Sequence, residues 1–160
     1  MTTHALAPAF SIRETSAADL DEILHHRRMM FYDMGYQDGS VLDQVVQSSR
    51  PCIQRYLADG SYRGWFATAD GRVAAGVGLI ITELVSGPLS PEQTSRPYLL
   101  NVYTEPEFRN RGLARLLTLK AIDWCGSQGF KILWLHASKY GKPLYDSLGF
   151  EPTNEMKLVL

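Results

Sequence analysis

Residues 98–126 constrain this chain more than any other stretch. An apolar run over residues 98–103, YLLNVY, predicts a buried strand, and Thr104-Glu105-Pro106 ends it. A basic, glycine-containing turn follows, Arg109-Asn110-Arg111-Gly112-Leu113-Ala114, and a helix is predicted from there to about Gly126. This order suits an anion. The first turn of a helix has free backbone N–H groups and the positive end of the dipole, so a phosphate sits well there. Arg109 and Arg111 are expected to add charge-assisted hydrogen bonds, although arginines in such turns also serve as plain solvated charges. Gly112 and Ala114 are small enough to let the backbone approach a pyrophosphate.

The rest of the chain supplies a scaffold for that unit. With 160 residues, 45% of them apolar and 11% aromatic, one domain with a real core is expected. The net charge of −1 gives no broad electrostatic case for nucleic acid or an anionic membrane. Cys52 and Cys125 stand far apart without a CxxC spacing, so neither a disulfide framework nor a zinc site is implied. The opening residues, MTTHALAPAF, do not read as a signal peptide. No apolar run approaches the roughly 20 residues of a membrane span. The expectation is a soluble, cytoplasmic protein.

Residues 10–13 alternate and predict a first strand. Ser16-Ala17-Ala18-Asp19 reads as a capping box, opening a helix that runs to about Met34, where Gly35 caps it. A second helical stretch begins at about Val41. Pro51 predicts an interruption, with a resumption over residues 55–59. Residues 65–69 predict a strand, Asp70-Gly71 a hairpin turn, and residues 73–82 the return strand. Gly76 and Gly78 inside it suggest a bulge or a close approach by another group. Residues 84–97 carry Gly87, Pro88, Pro91 and Pro97 and predict a loop. After the central strand and helix, residues 132–137 predict a buried strand, residues 141–148 a short helix, and residues 156–160 a closing apolar strand. The class is α/β.

A second block lies downstream, Pro143-Leu144-Tyr145-Asp146-Ser147-Leu148-Gly149-Phe150. Together, Arg109-x-x-Gly112-x-Ala114 and this block resemble the Arg/Gln-x-x-Gly-x-Gly/Ala and Leu-Tyr-x-x-x-Gly-Phe segments of GNAT-type N-acetyltransferases, which bind acetyl-coenzyme A. The resemblance is clear over about residues 73–160. It implies an α/β (α+β) fold with a mixed, mostly antiparallel central sheet flanked by helices. It implies acetyl-CoA as donor, with its pyrophosphate cradled by backbone groups of Arg109, Asn110, Arg111, Gly112, Leu113 and Ala114. Main-chain groups of Val102, Tyr103 and Thr104 would pair with the pantetheine arm like an added strand. The motif tyrosine, here Tyr145, would sit near the thioester sulfur. The chain departs from the family in two places: Ser138 stands where many members carry a coenzyme-contacting asparagine, and Gly141 replaces the usual alanine.

The residues themselves bear on the chemistry. A phenol with a reference pKa of about 10 is protonated at neutral pH, so Tyr145 can act as an acid toward a leaving thiolate; otherwise it is a helix tyrosine packing its ring. A strand amide near Thr104 would face the oxyanion. The general base is open among Glu83, Glu105 and His136, with Glu83 preferred. His25 and His26 read as an exposed pair, since helix neighbours do not face each other, and no metal is expected. If the acceptor pocket lies along the first helix, Arg27 or Arg28 would hold a carboxylate or phosphate of the acceptor; helix packing alone also explains that segment. Cys125 lies outside the motifs. The acceptor is read as a small-molecule amine. The alternatives are a peptide or protein amine, or a non-catalytic acyl-CoA sensor. The closing strand offers an edge for a homodimer, though nothing in the sequence demands one.

Overall fold

The computed structural model describes residues 9–160. The reading of the leader falls almost wholly on residues 1–8, which lie outside the described residues. Five strands form one sheet in sequential order: β1 (Ser11–Glu14), β2 (Tyr62–Ala69), β3 (Arg72–Glu83), β4 (Ser95–Thr104) and β5 (Trp134–Leu135). The first four are antiparallel, and β5 runs parallel to β4. Helices α1 (Leu20–Asp33) and α2 (Gly39–Asp59) cover one face, and α3 (Leu113–Ser127) covers the other. The short α4 (Lys142–Ser147) follows β5. The mixed, mostly antiparallel sheet flanked by helices is the expected fold.

Both faces of the sheet are buried, so β2 and β3 read as near-continuous apolar runs. Phe66 and Tyr62 face Ile23, Leu24 and Ile53 of α1 and α2. Trp65, Val77, Leu79 and Leu99 face Leu117 and Ala121 of α3. The two glycines of β3 make room for the first of these layers. A β-carbon on Gly76 would lie 2.7 Å from His26 Nδ1, and one on Gly78 would collide with the Tyr62 phenol.

Four expectations are corrected. Helix α2 starts at Gly39, capped by the Asp38 carboxylate, and runs unbroken through Pro51. An interior proline costs about 3 kcal/mol. Pro51 sits on the exposed side, while Leu42 and Ile53 are buried on either side of it; each fully buried aliphatic contributes about 1.5–3 kcal/mol, enough to hold both halves in line. Strand β4 begins at Ser95, inside the expected loop. Its Pro97 pairs with Ile81, whose amide donates to Ser61 O at 2.8 Å, so β3 asks no N–H of residue 97. Strand β5 is two half-buried residues, shorter and less buried than expected. Finally, residues 156–160 form no strand. A strand needs an edge to pair with, and these side chains are solvent-exposed, Met156 at 93% and Val159 at 85%.

Candidate active site

Strand β4 carries one residue more than its neighbour. Gly76 faces Tyr103 and Gly78 faces Leu100, so two steps along β3 match three along β4. Asn101 takes up the excess with a φ of 54°, a left-handed backbone that asparagine tolerates better than most side chains. On the opposite edge, β5 pairs with β4 only at Tyr98 and Leu99. Among the described residues, no strand lies beside that edge from Leu100 to Thr104. Successive amides of a strand point to opposite sides. Glu105 N–H donates to Ala74 O at 2.9 Å, toward β3. The amides of Thr104 and, two residues earlier, Val102 therefore face the open edge. A cavity of about 1060 Å³ opens there, walled by β4, the end of α1, the turn before α3 and the start of α4.

The turn before α3 is built to present amides. Pro106–Phe108 makes a single 3₁₀ turn with Phe108 buried beneath it. Asn110 and Gly112 have φ of 60° and 76°, with Arg111 between them. Such alternation curls successive N–H groups toward one concave side, and at residue 112 only glycine takes that backbone without strain. Leu116 N–H is the first to bond back into the helix, to Gly112 O at 3.0 Å. Helix geometry leaves the amides of Leu113, Ala114 and Arg115 without such a partner.

The arginines divide. Arg109 lines the cavity, but its guanidinium donates to Asp33 at 2.6 Å and to the Thr104 carbonyl at 3.0 Å. Arg111 is not part of the lining; it reaches the Glu107 carbonyl at 3.4 Å and lies over the Phe108 ring. Arg115, which the sequence reading passed over, does line the cavity and donates to Ser147 Oγ at 2.8 Å.

Tyr145 lies across the cavity on α4, with Phe150 edge-on to its ring at 5.6 Å. Burial pushes its phenol up to about 12. Its hydroxyl donates to no protein group among the described residues. Gly141 makes space for that ring, since a β-carbon there would lie 2.9 Å from Tyr145 Cε2. This accounts for the absence of alanine. Ser138 also lines the cavity, and its Oγ accepts from Gly141 N–H at 3.0 Å in the turn that leads into α4.

The base candidates separate as well. Glu83 ends β3 opposite Ser95, exposed and outside the cavity lining. It stands five residues beyond Gly78, roughly 16 Å along the strand. His136 lines the cavity and hydrogen-bonds the Tyr98 hydroxyl. Glu105 turns to the other side of β4, where His25 Nε2 lies 2.8 Å and His26 Nε2 3.7 Å from its Oε1. The adjacent histidines thus meet the same carboxylate, contrary to the exposed pair expected. They need not face each other, because Glu105 sits between them on another element. Glu22 joins the group, 3.4 Å from His26 Nε2. Cys125 is on the buried face of α3, outside this cavity, and burial raises its thiol to about 11.

Arg27 and Arg28 are also distinguished. Arg28 pairs with Asp43 at 3.1 Å, outside the cavity lining. Arg27 lines the cavity, donating from Nε to Ser49 Oγ and from Nη1 to Asn101 Oδ1, each at 3.0 Å. Its guanidinium lies over the Phe31 ring at 5.0 Å, and burial lowers its pKa. Asn101 was not singled out from sequence. Its signal was present: a polar residue in the middle of the apolar run YLLNVY is the informative exception in a buried strand.

The Acetyltransferase (GNAT) family model matches residues 20–150. A crystal structure of a GCN5-related N-acetyltransferase from Ralstonia eutropha JMP134 is 34% identical, covers 95% of this chain and 99% of its own, and superposes with a TM-score of 0.90. A predicted acetyltransferase with acetyl-CoA from Clostridium acetobutylicum, 20% identical, shares the fold with a TM-score of 0.83 over 95% of this chain and 96% of its own. The ribosomal protein bS18 alanine N-acetyltransferase of Salmonella typhimurium is 35% identical over 86 residues, 52% of this chain and 51% of that protein. The chain spans about half the length of the curated relatives it matches.

Proposed function

The chain belongs to the GNAT acetyltransferase family, and from that premise we propose that it moves the acetyl group of acetyl-CoA to the primary amine of a small molecule, by direct attack within a ternary complex. One observation carries the reading: the open edge of β4, the amide cradle at Gly112 and Tyr145 all border the same cavity. The neighbour from Clostridium acetobutylicum, whose structure includes acetyl-CoA, supports the donor.

In this reading the open edge of β4 at Val102 receives the pantetheine arm as an added strand. Amides from Asn110 to Arg115 hold the pyrophosphate, with the Arg115 guanidinium beside them. Arg109 acts mainly as an anchor of the turn. The amine nitrogen attacks the thioester carbon, forming C–N. The tetrahedral intermediate then collapses with cleavage of C–S. The Thr104 amide faces the oxyanion. Tyr145, protonated through neutral pH, donates to the departing sulfur. His136 is the one base candidate from the sequence that lines the cavity, and we assign it the proton lost by the amine. Neither cysteine takes part, so no acyl-enzyme forms.

The cavity is of the size that encloses a coenzyme arm and a small acceptor, and Met30, Phe31 and Met34 of α1 wall its acceptor side. A peptide amine is the alternative, favoured by the relative that acetylates alanine of a ribosomal protein. Among the described residues no helix is long and apolar enough to cross a membrane, and we place the reaction in the cytoplasm, where thiols stay reduced. The test is a screen of amines with acetyl-CoA, following release of the coenzyme thiol, with Tyr145→Phe as control. Turnover that the variant loses supports the reading. Acetyl-CoA binding without turnover on any amine or peptide would favour a sensor.

A further inference from the structure

Among the described residues, the cavity lining carries three arginines, Arg27, Arg109 and Arg115, and one acid, Asp33. Asp33 is spent on Arg109. Arg115 lies at the start of α3, beside the amide cradle. Arg27 is left at the bulge of β4, and among the described residues no carboxylate lies within ion-pairing distance of it. A guanidinium has five N–H donors. Ser49 and Asn101 take one each, which leaves three. Beside it, the Asn101 side chain accepts from Arg27 through Oδ1 and holds the guanidinium in place, while its buried Nδ2 lies toward the Tyr62 phenol. Asn101 is 3% exposed and lines the same cavity. A guanidinium without a carboxylate partner, fixed on one wall of a cavity, forms a site for an anion.

We propose that Arg27, held in place by Asn101, binds a carboxylate of the acceptor, so that the amine acetylated here belongs to an amino-acid-like molecule. This rests on the acetyltransferase reading above. Guanidinium and carboxylate match as a planar, bidentate pair. Phe31 supports the guanidinium from one face and narrows its approach. A single cation balances a carboxylate. A phosphate ester, nearly doubly charged, calls for a second cation, and the other two arginines are engaged elsewhere. A polycationic amine such as an aminoglycoside meets the wrong sign of charge, since the one acid of the lining is already paired.

The test uses the purified full chain with acetyl-CoA and paired acceptors: the common α-amino acids, 4-aminobutyrate, the α-carboxamides and methyl esters of the same amino acids, glucosamine 6-phosphate and kanamycin. Free carboxylates are expected to exceed their amides and esters by at least about tenfold in kcat/KM, the scale of one charged hydrogen bond. Arg27→Gln is expected to erase that preference by raising KM, and Arg27→Lys to keep part of it, while both bind acetyl-CoA like the unaltered protein. A second readout needs no turnover. With desulfo-CoA bound, the amino acid preferred in the screen, or each in turn, should raise Tm at about 10 mM, and its carboxamide should not. Equal turnover of acids and amides, preference for the phosphate or for kanamycin, or an Arg27→Gln variant that keeps the carboxylate preference would each overturn the proposal. So would thermal shifts blind to the carboxylate. Failure to bind acetyl-CoA at all would instead overturn the acetyltransferase reading.

Discussion

The Asp33 carboxylate lies 2.6 Å from the Arg109 guanidinium, tying the last residue of α1 to the turn that opens α3. Arg109 also holds the Thr104 carbonyl, so one side chain links the first helix, the bulged strand and the amide cradle. The pair is partly exposed, at 39% and 40% of the two side chains. Its direct worth to stability is therefore small, about 0.2–1 kcal/mol, and its role is to position the turn.

Asp33→Asn and Arg109→Ala are expected to weaken acetyl-CoA binding by similar factors, about three- to tenfold. The double variant should be no worse than the weaker single, because both remove the same tie. Calorimetric titration of the four proteins gives the coupling. Additive losses would mean that Arg109 contacts the coenzyme directly.

Tyr145→Phe removes a donor and little volume. Its kcat is expected to fall about a hundredfold, within the range of positioned acid catalysis, with the KM for acetyl-CoA changed less than threefold. Burial holds this phenol near 12. Because the raised pKa keeps the acid protonated, kcat should show no descending limb from Tyr145 between pH 7 and about 10. Any limb appears only as the pH rises toward the folded pKa. A pH–rate profile to pH 10 checks the sign.

Cys125 is buried and its thiol raised to about 11, so iodoacetamide at pH 8 should leave it intact in the native protein. Cys125→Ala should keep kcat within about threefold. Initial-rate patterns should intersect, as for a ternary complex; parallel lines would point to an acyl-enzyme.

Pro51 sits on the exposed side of α2 and interrupts its ladder at the Gln47 carbonyl. Pro51→Ala is expected to stabilise the protein by about 1–3 kcal/mol. At this chain length each kcal/mol raises Tm by about 2–4 °C. Thermal unfolding followed by circular dichroism measures it.

What the sequence revealed follows the range of the interactions involved. The turn at Gly112 and the Tyr145 block were legible as local structure because neighbours within eight residues define them: a strand end, Gly112 at a helix start, Gly149 after Tyr145. The hairpin at Asp70-Gly71, with φ of 49° and 75°, was readable for the same reason. Arg115 meets Ser147 across 32 positions and Arg27 meets Asn101 across 74. No periodicity reports such pairings. Glu83 looked suited to catalysis because it ends the glycine-containing strand; the register carries it away from the bulge. Residues 156–160 have the composition of a strand, but composition does not supply a neighbouring edge.

The central claim is that the open edge of β4 and the Gly112 turn hold acetyl-CoA. The most direct measurement is calorimetric titration of the full chain with acetyl-CoA and with desulfo-CoA, beside Arg115→Glu and Arg111→Ala. One site per chain is expected, with affinity in the micromolar range, about −8 kcal/mol. Arg115→Glu should weaken it by more than tenfold, since it sets a carboxylate beside the phosphates, and Arg111→Ala should leave it within about twofold. No heat of binding at millimolar ligand, confirmed by an unchanged Tm, would contradict the account.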